Sequence, residues 1–274
     1  MIASPRPPEF VEALAKGLAV LESFDAEHPE MTLSEIAVRI GESPAATRRS
    51  LITLGALGYV GRHQKRFHLR PKVMSLGSGF YFAARIDDLL QPELRSIVEA
   101  HGDASSVGML DGHDVIYIAH HSTQRARRAT AVVGARYPAH ATALGRILLA
   151  GLPDAELDRY FTEVVPVALT ARTVTSIDEL RQLIGQAREF GYATTVDQLD
   201  YGITALAVPI RGLSGRFVAA INSSGYSGLV SADDMVTHRL ADLRDAASRI
   251  AAAAARVPVL AAVFSEGDTA STQR

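Results

Sequence analysis

Seven basic side chains, Arg48, Arg49, Arg62, Lys65, Arg66, Arg70 and Lys72, fall within residues 43–72, and that window holds no Asp or Glu. The 274-residue chain carries 28 Lys and Arg against 30 Asp and Glu, so the window is +7 and the remainder −9. Cations gathered without counter-charges attract a polyanion, and release of the ions condensed on a phosphate backbone supplies affinity. The expected chemistry is docking on nucleic acid. Arg48 and Arg49 alone would equally suit a solvated helix face. The acid-free run in register with helix and hairpin favours phosphate.

No catalytic constellation accompanies this stretch. The chain has no Gly-x-Ser-x-Gly elbow, no His-Glu-x-x-His and no dinucleotide fingerprint. Gly77-Ser78-Gly79 is too short for a phosphate loop and follows no strand. With no cysteine, disulfides and Cys-based zinc fingers are excluded. His113, His120, His121 and His140 lie near hairpin ends and loops, where histidines are commonly hydrogen-bonded or on the surface. No catalytic residue, no metal and no cofactor are expected, and the chain does not read as an enzyme.

The elements that must position the cations follow from periodicity. Phe10, Leu14, Leu18, Leu21 and Phe24 recur in steps of three and four, which predicts an amphipathic helix over residues 9–25. Thr32 with Glu35 fits a capping box opening a second helix, with Leu33, Ile36, Ala37 and Ile40 inward and Gly41 closing it. Ser43 suits an N-cap and Pro44 the first turn of a third helix reaching about Leu57. Helix, glycine turn, helix is the spacing of a helix-turn-helix, whose second helix enters the major groove. Residues 59–62 and 66–69 read as two short strands around His63-Gln64-Lys65, a basic wing.

From Pro71 to about Arg95 the pattern is helical, broken at Pro92, with an apolar face that suits either a second copy or its own domain. The grammar changes at Ser105. Residues 106–110 and 115–119 flank Asp111-Gly112-His113-Asp114, a hairpin signal. Residues 129–133 are a third strand candidate. A helix is expected from His140 to Ala150, another behind a Ser176–Glu179 capping box, strands over 192–196, 203–209 and 217–223, and a last Ala-rich helix over 232–255. This is an α+β domain with helices on the sheet faces. The polar tail, residues 259–274 and above all from Ser265, is expected to be disordered. No apolar run approaches the roughly 20 residues of a membrane span. The first residues lack the apolar core of a secretory signal, so a cytoplasmic, nucleoid-associated location is expected.

Several runs together resemble the IclR family of bacterial transcriptional regulators. They are Ala15-Lys16-Gly17-Leu18, Leu33-Ser34-Glu35-Ile36-Ala37, Leu57-Gly58-Tyr59-Val60, Leu110-Asp111-Gly112, His140-Ala141-Thr142-Ala143-Leu144-Gly145-Arg146, and Gly191-Tyr192-Ala193 followed by Gly202 and Ala207-Val208-Pro209-Ile210. The details are similar to regulators of aromatic-acid catabolism, including those for protocatechuate and 4-hydroxybenzoate. The resemblance implies a winged helix-turn-helix over 9–70, a linker helix over 71–95, and a GAF-like effector domain with a central antiparallel sheet over 96–258. It implies homodimers, often assembled into tetramers, that bind a double-stranded operator with inverted-repeat symmetry. Transcription of a catabolic operon would respond to a small aromatic or dicarboxylic acid, such as a β-ketoadipate-pathway metabolite. By family position Ser43, Thr47, Arg48 and Arg49 of the third helix and Arg62, Lys65 and Arg66 of the wing would contact DNA. The effector would be lined by Ser106, Val107, Met109, Tyr117, Ala141, Thr142, Leu144, Gly145, Asp197, Gln198, Ile203, Ala205, Ile221 and Ser223. Members often carry Glu where this chain has Gln198, and many have Arg where it has His120. An anionic ligand needs a donor, and Arg127, Arg128, Arg136, Arg146, the histidines and backbone N–H groups are the candidates. Two alternatives stand beside this reading: a ligand-blind oligomeric repressor, and an enzyme with an appended DNA-binding head.

Overall fold

The computed structural model describes residues 7–123 and 132–269, in two compact units, Met1–Gly79 and Phe80–Arg274. The first unit contains α1 (Glu12–Glu22), β1 (Glu30–Thr32), α2 (Leu33–Arg39), α3 (Pro44–Ala56), β2 (Val60–His63) and β3 (Arg66–Leu69). The expected caps are present. The Thr32 hydroxyl accepts from Glu35 N while the Glu35 carboxylate accepts from Thr32 N at 2.7 Å. Ser43 Oγ accepts from Ala46 N, and Pro44 occupies the first turn of α3, where a missing N–H costs nothing. Gly41 turns the chain between the two helices at φ +67°, a conformation cheap only for glycine. His63 pairs with Arg66, so the wing closes through a two-residue turn. The unexpected β1 pairs with β3 and completes an antiparallel sheet in the order β1-β3-β2.

The core of this unit is Val20, Leu21, Met31, Ile36, Leu51, Leu54 and Val60. It departs from the stripe expected on α1. Leu21 is buried and Phe24 packs against the core, but Phe10, Leu14 and Leu18 are exposed. Val20 occupies the core position instead.

After a 3₁₀ turn at Pro71–Val73, α4 (Met74–Ala83) is followed by α5 (Ile86–Leu89) and α6 (Gln91–His101). The helical run breaks at Arg85, which sits at φ +51°, not at Pro92. Pro92 lies in the first turn of α6. The boundary between the two units falls inside α4, so Phe80 onward belongs with the second unit. Ala84, Ile86, Leu90 and Leu94 are buried in that unit's core.

The second unit continues with β4 (Ala104–Asp111), β5 (Asp114–Ser122), β6 (Arg136–Pro138), α7 (Ala143–Ala150), α8 (Asp154–Glu163), α9 (Ile177–Phe190), β7 (Ala193–Val196), β8 (Ile203–Arg211), β9 (Phe217–Tyr226), α10 (Ala232–Ala254) and α11 (Pro258–Thr269). The strand candidate at 129–133 lies largely outside the described residues. The six strands form one antiparallel sheet, β6-β5-β4-β9-β8-β7. The expected hairpin forms, and because Asp111 pairs with Asp114 its turn is two residues, shorter than the four between the expected strands. One face buries Val107, Leu206, Val208, Ile210 and Ile221 under α6 and α10. The other buries Tyr117, Ala205, Ala207 and Ala220 under α7 and α9. Small residues on that second face let α7 approach closely, and its buried Leu144, Ile147 and Leu148 are each worth about 1.5–3 kcal/mol in transfer terms.

The expected disordered tail is helical as far as Thr269, because Leu260 and Phe264 anchor α11 in the core. No single helix among the described residues is long and apolar enough to cross a membrane. The bent pair Ala232–Ala254 and Pro258–Phe264 passes such a test by length and composition, but it turns through 114° and packs on the sheet.

Candidate nucleic-acid interface and ligand site

The two faces of α3 divide its residues by role. Ala46, Thr47, Leu51 and Leu54 are buried, while Ala45, Arg48, Arg49 and Ile52 are exposed. The Arg48 and Arg49 guanidiniums make no hydrogen bond or ion pair with the described residues, so both are available to a ligand. Thr47 is only 1% exposed and bonds Ser43 O. It cannot reach DNA, which corrects the expectation. Ser43 spends its hydroxyl on the cap of α3.

The wing is sorted in the same way. Lys65 sits at the turn, exposed and unpaired among the described residues. Arg62 donates from Nε to Gln64 O at 2.8 Å and lies over the Phe67 ring, which holds it at the wing tip. Arg66 is exposed too, but its guanidinium is engaged within the unit. Its Nη1 donates to Glu30 O at 3.0 Å, and Glu30 and Glu35 lie within ion-pair distance. It ties β3 to β1 and to the start of α2. Lys72 likewise donates to Leu57 O and lies over the Tyr59 ring.

In the second unit the proposed effector residues separate by strand parity. Side chains alternate between faces, so Ser106, Tyr117, Ile203 and Ala205 share the face under α7. Val107, Met109 and Ile221 face α10. Ser223 does too, accepting a hydrogen bond from Arg239 Nη1 at 2.9 Å. These four lie on the opposite side of the sheet from Ser106, Tyr117, Ile203 and Ala205, so the expected effector residues do not share one face. Ala141, Thr142, Leu144 and Gly145 are at the start of α7, all buried. Thr142 Oγ1 caps the helix by accepting from Gly145 N.

Packing demands glycine at position 145. A Cβ at this position would stand 2.1 Å from the Ala139 carbonyl oxygen and 2.3 Å from its Cα, both backbone. Gly145→Ala is expected to destabilise the effector domain by about 1–3 kcal/mol through overpacking, read as a lowered urea midpoint at unchanged slope.

Two separate sets of polar groups, Ser106 with His120 and His140 with Arg146, carry buried hydrogen bonds. Ser106 Oγ and His120 Nδ1 are 2.9 Å apart, while His120 Nε2 is buried without a partner among the described residues. Burial, aided by neighbouring His121, pulls the His120 pKa below its usual value. His140 Nε2 meets Val167 O at 3.1 Å, and burial depresses its pKa as well. Arg146, 2% exposed, is not the surface charge that its side chain type suggests. Its Nε donates to His140 O, its Nη1 to Thr194 O and its Nη2 to Gln198 Oε1, all neutral acceptors. Desolvation lowers its pKa to about 10, with Glu179 pulling the other way. Arg136, by contrast, pairs at the surface with Asp111 and Asp114. Arg127 and Arg128 lie outside the described residues.

The loop beside Arg146 is built around Asp197 and Gln198. Asp197 Oδ1 accepts from Ser227 Oγ and Gly202 N, and these bonds hold its carboxyl below the usual range. That carboxylate shapes the loop, at φ +54°. Gln198 O accepts from Thr173 Oγ1, and Thr170 Oγ1 donates to Asp197 O. These threonines, Asn222, whose Oδ1 accepts from Ser106 N, and Arg239 escaped sequence reasoning. An asparagine inside the apolar run Ala219-Ala220-Ile221 to Ser223 was the available signal. A separate groove of about 480 Å³, between the end of α9, β8 and α10, contains none of the predicted residues.

A winged helix-turn-helix whose α3 presents two arginines unpaired among the described residues, followed by an α+β sheet domain, is the architecture of a DNA-binding regulator. Residues 13–64 match the IclR helix-turn-helix domain and residues 83–252 the IclR C-terminal domain of bacterial transcriptional regulators. The chain belongs to the IclR family, and these families are regulators, not enzymes. It is 35% identical over 229 residues to the Pca regulon regulatory protein of Pseudomonas putida, covering 83% of this chain and 79% of that one. A transcriptional regulator of Rhodococcus sp. RHA1 superposes with TM-score 0.72 at 37% identity, covering 93% of this chain and all of that one. An IclR homologue of Microbacterium hydrocarbonoxydans, solved with 4-hydroxybenzoate, has the same fold at 24% identity, with TM-score 0.70 over 88% of this chain and 98% of that one.

Proposed function

We propose that this regulator changes its hold on an operator when a small organic acid, aromatic or dicarboxylic, occupies the α7 face of its effector domain. The observation that carries the reading is Arg146. A buried guanidinium bonded, among the described residues, only to neutral oxygens retains a full charge, and a carboxylate is the natural counter-ion. His120 Nε2, beside Ser106 and unpartnered among the described residues, supplies a second polar anchor. The likeness to a Pca regulator, and the 4-hydroxybenzoate bound by a relative of the same fold, support an aromatic-pathway acid and a catabolic target operon. Arg48, Arg49, Lys65 and Arg62 form the DNA-facing set. The exposed Leu14 and Leu18 of α1 suit a symmetric dimer, which would place two α3 helices on an inverted repeat. An effector acts only by binding the two arrangements of the assembly unequally, and about 1–3 kcal/mol of coupling gives a 5–150-fold response.

Thermal unfolding with 4-hydroxybenzoate, protocatechuate and β-ketoadipate tests the ligand class. An acid at one hundred times its Kd adds about 2.7 kcal/mol of stability and raises Tm accordingly. No shift with any member of a broad panel of such acids would remove the proposed ligand class while leaving DNA binding intact.

A further inference from the structure

The outward face of α3 is not purely cationic. Ile52 is 57% exposed, and Ala45 lies two turns before it on the same side, with Arg48 and Arg49 between and flanking them. Thr53, also exposed, folds its hydroxyl back onto Arg49 O. An exposed isoleucine on the helix that carries two unpaired arginines, inside an acid-free stretch, meets a surface that is anionic at its rims and partly apolar within. The DNA major groove has that character. Its floor presents guanine O6 and N7 to a guanidinium, and only the thymine 5-methyl to an apolar side chain.

We infer that Ile52, with Ala45, reads thymine methyl groups in the base pairs adjoining the guanines contacted by Arg48 and Arg49. This rests on the DNA-binding reading and adds the composition of the half-site. Seven residues of helix rise about 10.5 Å, which matches about three base pairs at 3.4 Å each. The four side chains thus address one short run in which thymine and guanine are neighbours.

The test uses the full-length protein and the duplexes it selects from a random library. Thymines at each enriched position are replaced one at a time by deoxyuridine, which removes only the methyl. The wild type is expected to bind about fourfold more weakly per half-site at the position facing Ile52, the equivalent of one buried methylene. Ile52→Ala should bind the two duplexes alike. Ile52 is outside the core, so this variant retains the fold, checked by its unfolding midpoint. Selection of no duplex would overturn the DNA-binding reading and this inference with it. Selection of duplexes whose affinity ignores every thymine-to-uracil change would overturn the inference alone. If Ile52→Ala keeps the uracil discrimination but alters sedimentation, the stripe contacts a second copy and the inference fails.

Discussion

Replacing both Arg48 and Arg49 with alanine is expected to abolish specific operator binding at physiological salt. Each side chain is exposed on α3 without a partner among the described residues, so neither has a structural task to lose. A bidentate guanidinium–guanine contact discriminates by about 1–3 kcal/mol, so each single change should cost about 5–150-fold and the pair up to about 10⁴-fold. Fluorescence anisotropy against the selected duplex and a scrambled one separates base reading from plain charge. Loss concentrated on the specific duplex, with little change in salt slope, marks base readers. Lys65→Ala should act differently, weakening all duplexes alike and lowering the salt slope by about one. Arg66→Ala should leave specificity intact, because its guanidinium is engaged with Glu30 and Glu35. Full specific affinity in the Arg48 and Arg49 variants would show that α3 is not the recognition helix.

The contrast between Arg49 and Arg66 shows what a sequence can and cannot display. Local rules wrote themselves legibly: Thr32 with Glu35, Ser43 with Pro44, and the Asp111–Asp114 hairpin each form as expected, since caps and tight turns depend on residues within a few positions. The charge of Arg66 was equally visible, but its partners Glu30 and Glu35 lie more than thirty positions earlier and come close only through β1. Thr47 was misplaced for a related reason. Helical periodicity assigns residues to faces, and the inward face of α3 happens to include it. The stripe of Leu14 and Leu18 has the period of a buried face, yet a face covered by another chain has the same period.

The expected effector residues divide by parity. Val107, Met109, Ile221 and Ser223 are neighbours of true α7-face residues along their strands, and a one-residue step changes the side of the sheet. Neither family position nor apolar character carries that information. The bulge between Val107 and Gly108, with Ile118 as the extra residue on β5, makes it harder still to follow. The buried environment of Arg146 was equally hidden. It depends on strand β7 and the 197–202 loop folding over α7, roughly fifty residues downstream.

Gln198 is where that environment can be altered most cleanly. Its Oε1 accepts from Arg146 Nη2 and from Val174 N at 3.3 Å, so the side chain already points an oxygen at the guanidinium. Gln198→Glu keeps the shape and the acceptors and adds one negative charge. The new carboxylate would neutralise Arg146 internally, and an incoming acid would then meet a compensated pair. A hydrogen bond to a charged group is worth about 1.5–3 kcal/mol, so the Kd of an anionic effector should rise about 10–150-fold. The amide of the same acid, which brings no charge, should lose little. Ligand-free stability should hold or rise, because a buried cation gains a counter-charge. Arg146→Met should weaken the acid too, but at a lowered Tm, since His140 O, Thr194 O and Gln198 Oε1 lose their donor. Calorimetric titration of the three proteins with acid and amide reads all of these. An acid that binds the Gln198→Glu protein as tightly as the wild type would show that Arg146 does not hold the ligand's charge.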